Sequence, residues 1–292
     1  MPAVVTLASP SADALRDAVE ALRLRLPDVK SVDVLGPGGV DLISAAEPED
    51  LRTETAAVLA GRPIDHCLQA PDHRRKRLLI ADMDSTIITC ECLDELADYA
   101  GVKAEIAVVT ERAMRGELEF EPALRERVAR LRGLSTDLLQ RCYDERVRLT
   151  PGAAVMVRTM VAHGARAVLV SGGFEFFTGR VAAAAGFSDH RGNRLLEADG
   201  RLTGEVGDPI LGRQAKLDAL TREADQLGID LSATLAIGDG ANDLAMIEAA
   251  GLGVAYRAKP VVAERAAARI DHADLTALLY FQGYRHDQFA AI

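Results

Sequence analysis

In Leu78-Leu79-Ile80-Ala81-Asp82-Met83-Asp84-Ser85-Thr86, four apolar residues run directly into two carboxylates one residue apart and then two hydroxyls. A short apolar run bounded by polar residues reads as a fully buried strand. Buried parallel strands belong to α/β sheets covered on both faces, where ligands sit beyond the carboxyl ends of the strands. Asp82 and Asp84 are therefore expected at the mouth of a site. An extended chain would point both to one side, whereas a bend after the strand would separate them. An acidic turn closing a strand is the competing reading of this stretch taken alone.

Bulk properties narrow the options. The 292 residues suffice for one large or two moderate domains. Apolar residues make up 49% and aromatics only 4%, with no Trp, so Leu, Val, Ile and Ala must fill the core. A net charge of −10 argues against nucleic acid as a partner, because phosphate backbones demand a basic face. A few local cations still suffice for a small phosphorylated ligand. Cys67, Cys90, Cys92 and Cys142 form no Cys-x-x-Cys pair and suggest a reducing, cytoplasmic compartment. The charged first 26 residues lack the apolar core of a signal peptide. No run of 18 apolar residues exists to span a membrane.

Residues 1–72 read as a separate unit of order β-α-β-β-α-β, a ferredoxin-like α+β domain. Its strands are Ala3 to Ala8, Ser31 to Leu35, Val40 to Ser44 and Ile64 to Gln69. Ser11 caps the first helix, and Gly36-Pro37-Gly38-Gly39 makes the hairpin turn. Small regulatory amino-acid-binding (ACT-like) domains share this layout, but no Gly-rich ligand loop supports such binding, and oligomerisation or packing is an equal alternative. Pro71-Asp72-His73-Arg74-Arg75-Lys76-Arg77 reads as a solvated basic linker. Residues 73–292 then form the core. A helical stretch over about 90–150, inserted after the first core strand, is expected to be an enclosing cap. The sheet resumes with strands at Ala167 to Val170, Thr234 to Ile237 and Leu252 to Tyr256, and Asp199-Gly200 marks a hairpin.

Three of these strands end in polar, Gly-containing loops. Beside the Asp82 loop stand Ser171-Gly172-Gly173-Phe174 and Gly238-Asp239-Gly240-Ala241-Asn242-Asp243. The first opens onto a helix, whose backbone N–H groups suit an anion that glycine lets approach closely. The second offers two carboxylates and an amide, oxygen donors that suit Mg²⁺. A capped turn explains each loop singly. Three in order, after three apolar strands, are much harder to explain as structure alone.

Together with Lys216, these loops resemble the four motifs of the haloacid dehalogenase superfamily, and within it most closely the phosphoserine phosphatase family. That family carries a Glu nine residues after the first Asp, here Glu91. It also carries a cap Arg in a segment reading here Phe120-Glu121-Pro122-Ala123-Leu124-Arg125-Glu126-Arg127-Val128. The resemblance covers about residues 77 to 275. It implies a Rossmann-like parallel sheet core with an inserted helical cap, and Mg²⁺-dependent hydrolysis of O-phospho-L-serine, the last step of serine biosynthesis. Asp82 would be the nucleophile that forms an aspartyl-phosphate, and Asp84 the proton donor and acceptor. An unperturbed Asp is ionised near neutrality, with a pKa of about 3.9, so Asp82 would need no base. Mg²⁺ would bind the Asp82 carboxylate, the Asp84 carbonyl and Asp239, with Asp243 holding metal waters or the loop. Ser171, Gly172 and Asn242 would cradle phosphate, and Lys216 would neutralise charge. Glu91 would take the substrate ammonium and Arg127 its carboxylate. The family spacing favours Arg127 over its neighbour Arg125. Met114 and Phe120 line either the lid or the cap's own core.

Bland readings stand beside these. Lys216 could be a helix-surface lysine, and Glu91 could pair with cap charges. A phosphotransferase would use the same site, a dehalogenase fits the second Asp less well, and a phospho-ligand-binding regulator would not need a nucleophile. The partner implied is a small molecule, with no nucleic acid and no membrane, and a homodimer is compatible with the reading.

Overall fold

The computed structural model describes residues 3–26, 28–114 and 117–291, and the side chains there of all but Pro48, Ala113 and Met114. Two sheets organise the chain. The first six elements are β1 (Ala3–Ala8), α1 (Ala12–Arg25), β2 (Val29–Gly36), β3 (Gly39–Ser44), α2 (Pro48–Leu59) and β4 (Asp65–Gln69). Their strands form an antiparallel sheet of order β2-β3-β1-β4, the ferredoxin-like arrangement. The α1 helix begins where Ser11 Oγ accepts the Ala14 N–H at 3.2 Å, and it buries Leu15, Ala18 and Leu22 on this sheet.

A parallel sheet follows. It begins with β5 (Leu78–Ala81), and the cap helices α3 (Cys92–Tyr99), α4 (Lys103–Met114), α5 (Phe120–Ala129) and α6 (Asp137–Arg146) come next. The chain returns through α7 (Ala153–Ala162), β6 (Arg166–Phe174), α8 (Glu175–Ala185) and β7 (Asp189–Asn193). The hairpin β8 (Leu195–Ala198) and β9 (Arg201–Val206) leads to α9 (Arg213–Leu227) and β10 (Thr234–Gly238). Last come α10 (Leu244–Ala249), β11 (Leu252–Tyr256), α11 (Pro260–Ala263), β12 (Ala268–Ile270) and α12 (Ala277–Phe281). The sheet order is β12-β11-β10-β5-β6-β7.

The apolar run of β5 is continuous because both faces of this sheet are covered. Leu79 and Ala81 enter one core layer, while Leu78 and Ile80 enter the other, and all four are fully buried. The neighbouring β6 divides its residues the same way, Ala167 and Leu169 against Val168 and Val170. Burying each Leu or Ile contributes about 2 kcal/mol. Ala81 is in register with Leu169 on one side and Ile237 on the other. The loops after β5 and β10 and the polar end of β6, Ser171 to Phe174, therefore meet at one edge of the sheet, where the strand order reverses.

The structure differs from the sequence expectations in three places. The parallel sheet has two further edge strands, β7 and β12, which hold too few apolar residues to stand out. The β8–β9 hairpin joins the cap, through Gly133 N–H to Leu202 O and Leu202 N–H to Leu134 O, at 2.8 and 2.9 Å. The basic segment 71–77 is solvated only in part: Asp72, His73, Arg75 and Arg77 are exposed, but Arg74 and Lys76 are drawn into the fold. Its Arg74 is largely buried between the antiparallel sheet and α12, donating to Asp41, to Thr6 Oγ1 and to the carbonyls of Tyr280 and Phe281. A planar guanidinium satisfies that many fixed acceptors at once, which outweighs its desolvation.

A second clamp joins the same bodies. Buried Asp65 accepts the backbone N–H groups of Asp271, His272 and Ala273, at 2.8, 3.1 and 2.7 Å. Asp65→Ala leaves three amides without acceptors and lowers unfolding stability by about 3 kcal/mol. A denaturant midpoint measured on the full chain checks this, and an unchanged midpoint would contradict it.

Candidate active site

Asp82 follows β5 directly. Its backbone N–H donates to Ile237 O at 3.0 Å, and its Oδ1 accepts the Met83 N–H at 2.8 Å. The chain then winds into one tight turn, in which Ser85 takes a positive φ of 54°. This turn answers the question of direction. Asp84 Oδ1 accepts the Cys92 N–H at 3.0 Å, and its Oδ2 accepts Ser171 Oγ–H at 3.3 Å. Ser171 Oγ in turn accepts the Gly173 N–H at 2.8 Å. A Cβ on Gly173 would lie 2.9 Å from Asp84 Oδ2, so glycine is what lets the two loops meet.

Behind Asp82 stands Lys216, on α9 and 2% exposed. Its Nζ lies 2.6 Å from Asp82 Oδ1 and 2.5 Å from Asp243 Oδ1. Asp243 is fully buried and also accepts the Gly240 N–H at 3.0 Å. A Cβ on Gly238 would fall 2.3 Å from Asp243 Cγ, so this loop can close only around glycine. Asp239 is held by Thr86 Oγ1–H at 3.1 Å.

Burial, and then Asp243, push the Asp82 carboxyl well above the usual carboxylate range, and Lys216 opposes them. Asp82 is thus far from an unperturbed Asp, and its ionisation leans on a cation. Burial also raises Asp84, against the Cys92 N–H that holds it down. Asp239 is raised to about 6, by burial first and by Asp243 second. Burial works against the Lys216 charge, but Asp82 and Asp243 more than offset it and push the ammonium above its ordinary value.

These loops floor a cleft of about 440 Å³ roofed by the cap. Asp82, Asp84, Glu91, Arg127, Ser171, Gly172, Asp239 and Asn242 all line it. Lys216 and Asp243 lie behind Asp82 instead. Ser85 Oγ–H donates to Glu91 Oε1 at 2.6 Å, tying the cap's first residue to the turn after β5. Arg127 is half-buried on α5, its Nε donating to Ala123 O at 3.2 Å. Burial pulls its guanidinium below the ordinary value, while Asp94 and Glu91, which face it, pull the other way. Arg125 points elsewhere, paired with Glu121 at 2.8 Å and Asp208 at 2.5 Å. Phe120 overhangs the Ser171 loop, close to Gly172. The Met114 side chain lies outside the described residues.

The cleft also holds Asp94, Thr110 and Lys259, which sequence reasoning missed. Asp94 follows Glu91 by three, a helical spacing that was the available signal. Lys259 comes from far along the chain, where its backbone N–H donates to Asp239 O at 3.1 Å.

One oxygen from each of Asp82, Asp239 and Asp243 falls within 4.8 Å of the others. Clustered hard oxygen donors suit a divalent cation. No helix among the described residues is long and apolar enough to cross a membrane.

The family model for haloacid dehalogenase-like hydrolases matches residues 79–248. A phosphoserine phosphatase of Streptomyces coelicolor is 43% identical over 251 residues, 85% of this chain and 61% of that relative. Another, of a Polaromonas species, is 46% identical over 208 residues, 70% of this chain and 88% of the relative. The chain thus spans about three fifths of the first relative's length and most of the second's. Among solved structures, a probable phosphoserine phosphatase of Vibrio cholerae superposes with a TM-score of 0.81 at 31% identity, covering 96% of this chain and 86% of that one. A phospho-aspartyl intermediate analogue of phosphoserine phosphatase superposes at 0.65 and 37% identity, covering 71% and 99%.

Proposed function

The chain belongs to the haloacid dehalogenase-like hydrolases, and we propose that it hydrolyses O-phosphoserine to serine and phosphate through an aspartyl-phosphate. One observation carries this reading. A carboxylate paired with a buried lysine shares its cleft with a carboxylate and a guanidinium from the cap, Glu91 and Arg127. The relatives named phosphoserine phosphatase support the same substrate.

Asp82 attacks phosphorus, and the bond to the seryl oxygen breaks. That oxygen takes its proton from Asp84, whose raised pKa suits a general acid. Asp84, now ionised, removes a proton from the water that attacks the aspartyl-phosphate. Phosphate leaves, and Asp82 is regenerated. Ser171, the Gly172 N–H and Asn242 hold the phosphoryl oxygens, and Lys216 steadies the Asp82 charge. Glu91 receives the substrate ammonium and Arg127 the carboxylate, a bidentate match for a planar fork.

The donor set fits Mg²⁺. The carboxylates of Asp82 and Asp239 and the carbonyl of Asp84 would hold it, while Asp243 ties Lys216 and Gly240 in place. When bound, the ion supplies positive charge against the phosphoryl oxygens. Four free cysteines suit the cytoplasm. Residues 1–72 are a distinct unit in this reading, and the ligand is a small molecule.

Phosphate release from L-phosphoserine, with and without chelator, tests the proposal. Release that stops on chelation and returns with Mg²⁺ supports it; release in excess chelator removes the metal, and no release from phosphoserine overturns the reading. Arg127→Ala separates substrate recognition from chemistry. Its KM for phosphoserine rises about 10- to 100-fold, the worth of a lost charged hydrogen-bond pair. KM for a plain aryl phosphate stays within about threefold, because that ester has no carboxylate to lose. Equal losses on both would make Arg127 structural.

A further inference from the structure

The ferredoxin-like unit meets the core along two sheet edges, β4 beside β12. Under that seam lies a second cleft of about 380 Å³, which shares no lining residue with the catalytic one. One wall is α2 and the start of β4; the other is the stretch 266–272. We propose that this cleft binds a small oxyanion with two negative charges, a phosphate or a dicarboxylate, between Arg52 and Arg62.

The argument is one of unspent donors. Three arginines line the cleft, Arg52, Arg62 and Arg269. Arg269 is paired with Asp271 at 2.6 Å. Asp65, the other carboxylate there, faces the three backbone amides it caps. Among the described residues Arg62 uses only its Nε, on Val58 O at 3.0 Å at the end of α2, so its outer nitrogens remain. Arg52 has no ionic or hydrogen-bond partner among the described residues. In a chain of net charge −10, the lining of this concavity thus carries one net positive charge, three guanidiniums against Asp65 and Asp271, and two of the guanidiniums have no ion pair among the described residues. Two planar forks match the paired oxygens of phosphate or of carboxylates.

A second, independent feature points the same way. Thr55 lines the cleft three residues after Arg52, on the same face of α2. It is 1% exposed, and its Oγ1 has no hydrogen-bond partner among the described residues. Buried hydroxyls are nearly always satisfied, so an unpartnered one in the wall that also carries Arg52 is a donor left wanting an acceptor. His66 adds a neutral ring: burial, more than any charge nearby, holds its imidazole below the ordinary value. The cleft volume falls in the range of small-ligand sites, about 300–1,000 Å³.

The test is direct binding to the full-length protein by titration calorimetry, with inorganic phosphate and succinate as separate probes. Because phosphate also enters the catalytic cleft, sites are counted in the wild type and in Arg52→Glu. That variant changes an exposed, unpartnered side chain and keeps the fold. The expected result is a site lost, or weakened at least tenfold, in Arg52→Glu and in Arg52→Ala/Arg62→Ala, and weakened in Thr55→Val. KM for phosphoserine changes by less than twofold in all three, so a failure here leaves the catalytic reading standing. A site seen with phosphate alone assigns a phosphate ligand, and one seen with succinate assigns a dicarboxylate. Neither probe binding outside the catalytic cleft, or equal affinity in wild type and Arg52→Glu, would overturn the proposal.

Discussion

Asp82→Asn abolishes turnover, with kcat falling on the order of 10⁵-fold, as when the nucleophile of a covalent mechanism is removed. The amide has the shape of the carboxylate and keeps an oxygen for the Met83 N–H, so the site's geometry survives. What is lost is the nucleophilic oxygen anion, and no aspartyl-phosphate forms. Stability moves little or rises. Asp82 and Asp243 face one ammonium, and burial with mutual repulsion lifts the Asp82 carboxyl well above its usual range. Removing one of the two charges relieves that repulsion and leaves Lys216 paired with Asp243. Acid-quenched labelling with phosphoserine radioactive in its phosphoryl group checks the loss of the intermediate, since the wild type carries label on the protein and the variant carries none. Turnover within tenfold of wild type would place the nucleophile elsewhere.

Lys216→Met is the opposite case, in which fold and chemistry fail together. It leaves the buried carboxylates of Asp82 and Asp243 facing each other without their cation. Breaking a buried pair from one side costs about 3–5 kcal/mol. Activity falls on the order of 10³-fold, the scale of losing a preorganised charge beside the reacting group. The stability deficit also has a signature in pH. Without Lys216, the Asp82 carboxyl, already raised by burial and by Asp243, loses the cation that opposes the shift and titrates in the folded state still further above its unfolded value. The folded state then binds more protons, and stability falls as pH rises between the unfolded and folded pKa values. The deficit is therefore smallest in acid and grows toward neutrality. Urea denaturation of wild type and variant, at about pH 5 and about pH 7.5, measures it. A pH-independent deficit would mean that lost packing, not charge, is the cause.

These variants divide what was legible in the chain from what was not. Asp82, Asp84, Ser171 and Asp239 could be found because each stands at the end of, or just beyond, an apolar strand. In a parallel sheet in register, such positions converge on one edge without further information. Lys216 was legible only through the order of motifs, since nothing in α9 distinguishes a buried lysine from a surface one. The choice between Arg127 and Arg125 was not physical at the sequence level. It rests on which way a helix faces, and Glu121 and Asp208 claim Arg125 for another direction. Arg74, within the basic run at 71–77, escaped notice for the same reason. Its acceptors on Thr6, Asp41 and Phe281 lie 33 or more residues away.

By itself, then, the sequence determined a two-faced parallel sheet, a helical insertion after its first strand, and the oxygen-rich loops at its edge. These follow from hydrophobic periodicity and from residue types at strand ends, which are properties of neighbours along the chain. Tertiary structure alone decided that Asp243 holds Lys216 against Asp82, that Arg74 and Asp65 clamp the antiparallel sheet to the core, and that Arg52 and Arg62 line one cleft without an ion pair among the described residues. Each is a matter of charge pairing under burial. The cost of desolvating a charge is set by whichever distant groups the fold brings within hydrogen-bond reach, and no local pattern encodes them.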